Sequence, residues 1–428
     1  MKIKLAFDKA GAEVELPASL RTTVLEPRYA AEVPDADAAL AAAIHNPMAS
    51  PPLEELARGK KSAVIAVCDI TRPAPNRLVL PHVTAALEKG GIPRSRIIIL
   101  VATGLHREAT PDELDEIVGR EMLSRYPTAS HRARVEAEQV FLGQTTSGTK
   151  VHIDRRFVEA DLHVTLGFVE PHLMAGFSGG RKLIAPGCAG ETTIKRLHSP
   201  HFMRDAQVSE GCYPDNPLHR DLLEIARMAG HHFIVDVALT RTRGIAAVFA
   251  GDPVAAHAQG VRFVRESTLA AVEEPADAVL TTSGGYPLDL TYYQAIKGVT
   301  AAAHVVKQGG TVLLVAACRE GLGSPEFTEL VRRSPDSKTL LAELETSPVR
   351  IDQWQAEKLA LVAAKARLSF CLPGISRDDY RCLWGPAFDN PQQAVNDLVA
   401  RIPAAGSLVV IPEGPYVFSQ LEPAMVSV

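Results

Sequence analysis

The apolar residues come in short unbroken runs rich in Val and Ile, and this constrains the fold more than any other feature. SAVIAVCDI (62–70), RIIILVATG (96–104), ADLHVTLGFV (160–169), ADAVLTTSGG (276–285) and GTVLLVAAC (310–318) are the clearest. They lack the polar alternation of half-exposed strands, so they read as strands covered on both faces, hence as parallel sheet. Helical stretches lie between them. LPHVTAALEKGG stops on glycine, and TPDELDEIVG opens with Thr110 as a cap, Pro111 in the first turn and acids behind it. The second half repeats the pattern: YYQAIKGVTAAAHVVKQGG, FTELVRR, DQWQAEKLALVAAKA and PQQAVNDLVARI are helices, and RLSFCLPG and SLVVIPEG are strands. Strand–helix alternation throughout predicts an α/β fold with largely parallel sheets covered by helices.

At 428 residues the chain exceeds one ordinary core, so two α/β domains are expected. The polar stretch ESTLAAVEEP (266–275) marks the boundary, giving a cofactor-binding domain over 1–268 and a second domain over 276–428, with the active site in the cleft between them. The final stretch EGPYVFSQLEPAMVSV is a candidate to fold back on the first domain. Net charge is −5 and no Lys/Arg block stands out, which argues against nucleic acid as a partner. No apolar run approaches the roughly 18 residues of a membrane span. The start, MKIKLAFDKAGAEVEL, has no secretory apolar region. Six scattered cysteines with no C-x-x-C pair fit a reducing cytoplasm rather than a disulfide scaffold or a zinc ribbon.

Unusual polar residues cluster directly after strands. Asp69, Thr71 and Arg72 follow the first, Gly104 and His106 the second, Glu170 and His172 the third, Ser283–Gly285 the fourth, and Arg319 and Glu320 the fifth. Ligands of open α/β sheets bind at the carboxyl ends of strands, so these loops are the candidate site.

Within DITRPAPN, Arg72 offers a permanently charged fork suited to a carboxylate or phosphate, and Asp69 is placed to pair with it. His106 and His172, at two strand ends, could serve one substrate from opposite sides as proton acceptor and donor; singly, each reads as a structural hydrogen-bonder. GFSGGRK resembles a phosphate-binding loop but fails the P-loop pattern, because Leu183 follows Lys182. Its glycines still allow close backbone approach to an anion. Lys182, if buried, loses charge readily and becomes a candidate nucleophile or tether; otherwise it is a counter-ion. His198 lies on or just after a helix. With His106 and His172 it would also make a three-histidine zinc set. In YYQAIKG, Gln294 and Lys297 share a helix face near an anion-favouring N-terminus. Trp354, at another helix start, is either core or a pocket wall.

Together DITRPAP, ATGLH, EPHLMAGFSGGRKLIAPG, His198, SGGYPLDLTYYQAIKG and DQWQ resemble the nickel-dependent lactate racemase family, in the family's order and over most of the chain. His172 and Lys182 lie ten residues apart, and Lys182 and His198 sixteen, which also fits. The resemblance implies a racemase or epimerase that inverts C2 of a 2-hydroxy acid by proton-coupled hydride transfer. It implies a nickel pincer nucleotide (pyridinium-3-thioamide-5-thiocarboxylic acid mononucleotide) tethered to Lys182, with Ni²⁺ ligated by His198. It casts His106 and His172 as the acid–base pair. Arg72 and Lys297 become carboxylate anchors, with Gln294 beside them and Tyr293 and Trp354 as pocket residues. Asp69, Thr71, Gly104, Ser178, Gly179 and Gly180 are then cofactor-binding candidates, with Asp69 orienting Arg72. Leu173, Met174 and Phe177 are candidates to shape the substrate pocket; Arg319 could meet a second carboxylate but reads first as a structural residue. Cofactor-biosynthesis proteins are implied partners. The rival readings are a zinc-dependent hydrolase or lyase, and a non-catalytic carrier of a nucleotide cofactor.

Overall fold

In the computed structural model, which describes residues 1–421, the chain forms two compact α/β units. One comprises residues 29–198 and 205–267, the other 1–28, 199–204 and the chain from 268 onward.

The first unit is built on a six-stranded sheet. Its strand order is Ile245–Gly251, Phe233–Leu239, Leu162–Phe168, Ala63–Cys68, Ile97–Ala102, Thr128–Ser130. All neighbours are parallel except the edge pair of Phe233–Leu239 with Ile245–Gly251. Every residue of Ala63–Cys68 and of Leu162–Phe168 is buried, as continuous apolar runs require. From Ala63–Cys68 the chain moves to one side of the sheet and later returns on the other. The crevice between the carboxyl ends of Ala63–Cys68 and Leu162–Phe168 is therefore the topological switch point, where open α/β sheets take ligands.

The second unit repeats this plan. Its six strands run Ala387–Phe388, Arg367–Cys371, Val306–Val315, Ala276–Thr282, Ser407–Ile411, Arg21–Val24, all parallel. Ala276–Thr282 stands at its switch point, beside Ser407–Ile411. Helices cover both faces, and Tyr292, Phe327 and Phe370 pack edge-on in the core of one of them.

Two sequence expectations change here. Residues 1–28 belong with the second unit, not the first, because Arg21–Val24 extends its sheet beside Ser407–Ile411. The opening hairpin, Lys2–Leu5 with Ala12–Glu15, packs its apolar side into that unit's core. A short edge strand gives little local signal of which sheet it joins. Residues 413–421 also stay with the second unit, since Phe418–Leu421 pairs in parallel with Leu269–Val272. Residues 422–428 lie outside the described residues. Among the described residues no helix is long and apolar enough to cross a membrane.

Candidate active site

Three loops at the carboxyl end of the first sheet carry most of the nominated residues. After Cys68 the chain turns sharply, and Asp69 is buried at the turn. Its carboxylate accepts from the Thr71 hydroxyl at 2.7 Å and meets His106 Nδ1 at 2.7 Å. Burial works against its charge, but His106, Thr71 and Arg72 together hold it below the usual carboxylate range. Asp69 thus orients His106, not Arg72 as expected from the sequence. The reason is reach: the Arg72 guanidinium turns outward, with the Thr71 carbonyl at 3.5 Å as its contact, and is exposed.

The loop after Ala102 carries Gly104 and His106. Gly104 has φ 55, and its N–H donates to the Gly187 carbonyl at 2.9 Å, tying this loop to the Pro-Gly turn that closes the lysine loop.

The third loop, 169–187, is internally braced. Pro171–His172 pairs with Gly176–Phe177 as a small hairpin. Ser178 donates its hydroxyl to the Phe168 carbonyl at 2.8 Å and accepts from the Glu170 N–H at 2.9 Å. Its side chain closes the loop. Arg181, fully buried, donates to the carbonyls of Ala175, Phe177, Ser178 and Gly179 and reaches His257 Nε2 at 2.6 Å. Gly179 sits at φ 85, where an added Cβ would lie 2.5 Å from the Asp236 carboxylate. Asp236 is fully buried, and burial pushes it up to about 7 although the Gly180 N–H and Arg181 favour its charge. Arg181, His257 and Asp236 were missed in the sequence. Asp236 alone left a signal, as the single charge inside the apolar strand FIVDVAL. Met174 and Phe177 are core residues, which leaves Leu173 as the half-exposed member of the expected pocket trio.

Lys182 follows on the short helix Arg181–Ile184. Desolvation of its ammonium, reinforced by Arg72 and Arg181, holds it well below the ordinary lysine value. His198 ends the helix Glu191–Leu197 and its Nδ1 lies 2.8 Å from the Ile194 carbonyl. A carbonyl only accepts, so Nδ1 carries the proton and Nε2 the lone pair. Burial, aided by the nearby Lys182, pushes His198 down to about 4, so the ring is neutral. A neutral imidazole whose other nitrogen donates to a backbone carbonyl is the form a metal-ligating histidine takes. A desolvated amine and a metal-ready imidazole, each within electrostatic reach of the other, fit a lysine-tethered metal cofactor. Among the described residues no three His, Cys, Asp or Glu side chains cluster at metal-holding geometry, which counts against a three-histidine zinc set.

In the second unit, Tyr293, Gln294 and Lys297 sit in the first turns of helix Tyr292–Ala302. Thr291 caps that helix, accepting from the Gln294 N–H at 3.3 Å. Tyr293 packs edge-on against Phe327, and the Gln294 carbonyl oxygen is buried without a hydrogen bond. Trp354 is nearly buried in the first turn of helix Gln353–Lys365. Helix Tyr292–Ala302 follows strand Ala276–Thr282, which places its start at the carboxyl end of that unit's sheet. Arg319 pairs with Asp8 at the tip of the opening hairpin, so it serves structure rather than a second carboxylate.

Comparison with known proteins agrees with this picture. Residues 7–210 match the lactate racemase N-terminal domain and residues 271–417 the lactate racemase C-terminal domain. A lactate racemase of Lactiplantibacillus plantarum is 36% identical over 378 residues, covering 87% of this chain and 88% of the relative. Another, from Thermoanaerobacterium thermosaccharolyticum, is 37% identical over 327 residues, 75% of each chain. The solved lactate racemase apoprotein from that organism superposes with a TM-score of 0.90 at 30% identity, covering 98% of this chain and all of the other. A Thermotoga maritima protein shares the fold alone, at 17% identity and a TM-score of 0.65. The chain belongs to the lactate racemase family.

Proposed function

We propose that the chain is an isomerase that inverts C2 of a 2-hydroxy acid, lactate or a close relative, using a nickel pincer nucleotide held covalently by Lys182 and ligated through nickel by His198. The observation that carries this reading is the joint setting of those two side chains: a buried lysine whose ammonium is disfavoured by desolvation, and a histidine whose Nδ1 faces the Ile194 carbonyl and so presents Nε2. The relatives' name, lactate racemase, supports the reaction and the substrate class. When bound, the cofactor supplies a hydride acceptor and donor for C2, so that a planar 2-oxo acid stands between the two enantiomers.

The protein's own residues supply the rest. Arg72, exposed and with the Thr71 carbonyl at 3.5 Å, is the cation for the substrate carboxylate. His106 and His172 handle the hydroxyl proton, one for each enantiomer. Lys297, Gln294, Tyr293 and Trp354 are further substrate contacts. Gly179 and Gly180, both at positive φ, let the backbone come close to a bulky cofactor, with Thr71 and Gly104 on the neighbouring loops. Anchoring the carboxylate keeps C2 in one place while its geometry inverts, which removes most of the orientational cost. Cofactor-biosynthesis proteins are the implied partners. Six unpaired cysteines support a reducing, cytoplasmic setting.

The test is intact-protein mass spectrometry with metal analysis, on protein made beside the cofactor-biosynthesis proteins, followed by a panel of 2-hydroxy acids. An added nucleotide mass on Lys182, nickel near one per chain and racemisation of one or more acids are expected. His198→Ala should lose the nickel and keep the adduct. Tightly bound zinc on an unmodified lysine would overturn the proposal.

A further inference from the structure

The two histidines assigned to proton handling are held by opposite kinds of partner. His106 Nδ1 faces a carboxylate, Asp69 Oδ2, at 2.7 Å. A carboxylate can only accept, so Nδ1 carries hydrogen and the neutral ring keeps its lone pair on Nε2. His172 Nδ1 faces two backbone N–H groups instead, those of Ala175 at 3.1 Å and Met174 at 3.3 Å. An N–H can only donate, so here Nδ1 holds the lone pair and the neutral ring carries its proton on Nε2.

Neither arrangement is a loose surface contact. Asp69 is buried and fixed by Thr71 through both its N–H and its hydroxyl. The turn that faces His172 is pinned from both sides. The Met174 carbonyl accepts from Asn216 Nδ2 at 2.7 Å, and the Ala175 carbonyl accepts from Arg181 at 3.0 Å. Gly176, at φ 75, is pressed so closely on the Cys212 backbone that a Cβ there would lie 2.0 Å from its carbonyl oxygen. The two N–H groups therefore cannot swing aside without disturbing the hairpin. A proton placed on His172 Nδ1 would meet them head-on.

We propose that in the resting protein His106 is a proton acceptor at Nε2 and His172 a hydrogen-bond donor at Nε2, with Asp69 the positioning residue that sets the first and the Met174–Ala175 turn the device that sets the second. The catalytic consequence rests on the function proposed above; the tautomers themselves do not. In the forward step the substrate O–H bond breaks, an N–H bond forms at His106 Nε2, and the new imidazolium charge is met by Asp69 across the Nδ1–H. His172 meanwhile donates to the substrate oxygen and keeps its proton. To act as acceptor for the other enantiomer, His172 must first move its ring proton from Nε2 to Nδ1, which requires the Met174 and Ala175 N–H groups to give way, so the two directions start from different tautomers of the protein.

The test is ¹⁵N-histidine NMR on the full chain without cofactor, with His106→Gln and His172→Gln assigning the two rings. The expected spectrum has the lone-pair nitrogen at Nε2 for His106 and at Nδ1 for His172. Asp69→Asn should move the His106 proton from Nδ1 to Nε2 and leave His172 unchanged. A merely structural role for Asp69 would leave the His106 tautomer where it is. In the loaded enzyme, His172→Gln keeps an N–H donor at similar reach and should exceed His172→Ala by about tenfold or more, while His106→Gln should be as inactive as His106→Ala. The same tautomer in both rings, or an unmoved His106 in Asp69→Asn, would overturn the proposal. Opposite tautomers in a loaded wild type that racemises no 2-hydroxy acid would leave the asymmetry standing and remove the function.

Discussion

Strand Ala63–Cys68 stands at the switch point of one sheet and strand Ala276–Thr282 at that of the other, and the loops that follow them are equipped very differently. Around the first lie groups whose protonation is displaced: Asp69 held ionised, Lys182 pushed toward the neutral amine, His198 kept neutral, Asp236 pushed toward the neutral acid. Around the second lie groups that bond without titrating near neutrality. Ser283 Oγ and Gln294 Oε1 are both buried with no hydrogen bond, and Thr282 Oγ1 donates to the Pro412 carbonyl at 2.9 Å. One plan thus gathers displaced acid–base groups in one copy and groups that bond without ionising in the other, which is the division the proposed function needs. Displaced acid–base groups concentrate where bonds change, because they are costly to maintain elsewhere.

The comparison can be broken in order of expected effect. Lys182→Ala should abolish both the covalent adduct and racemisation, read by intact mass and by chiral analysis of the product. Residual turnover with no adduct would move the chemistry off this loop. His106→Ala and His172→Ala should each cost on the order of 10²–10⁴-fold in kcat, whereas Gln294→Ala should mainly raise KM. A kcat loss of that size in Gln294→Ala would erase the division between the two sheets.

Asp236 sharpens the comparison through stability. Its carboxyl ionises near 3.9 when unfolded and is pushed up to about 7 in the folded protein, so the folded state holds its proton more tightly. Its contribution is therefore intact below about pH 4 and lost as pH rises through about 7. Denaturant unfolding should show wild type losing roughly 2–4 kcal/mol relative to Asp236→Asn across that window. A constant difference between the two would mean that Asp236 is already paired. The smallest effect belongs to the second unit. Arg319 is largely exposed in its pair with Asp8, and Arg319→Gln should cost about 1 kcal/mol or less in the same measurement.

Most of this architecture was legible from residues alone, and what was not has physical reasons. Doubly buried parallel strands announce themselves as continuous apolar runs, so SAVIAVCDI and ADLHVTLGFV pointed to the sheet and to the loops at its carboxyl end. Arg21–Val24 announced nothing: at four residues, with an alternating exposed and half-buried face, it resembles any edge segment. The titratable residues could be nominated because motif spacing carries them. Their partners could not, because pairing depends on direction. Nothing in DITRPAPN tells whether Asp69 turns to Arg72 or to His106, thirty-seven positions away. Arg181 was hidden by its neighbour, since a basic pair in a glycine-rich loop suggests two solvent-facing charges, and here one of them is the loop's internal brace.

The pairing of Arg21 with Ser407 has a consequence for how the molecule is made. Synthesis runs from the N-terminus, so the first strand of the second sheet leaves the ribosome early and cannot be paired until nearly the whole chain has followed it. The 29–267 region, with its sheet complete, is free to fold while the later strands are still being added. Closing so long a loop is only modestly dearer than closing a short one, because the entropic cost grows with the logarithm of length. What it imposes is an order of events: the lysine loop is built first, and Arg21–Val24 waits for Ser407–Ile411 to be made.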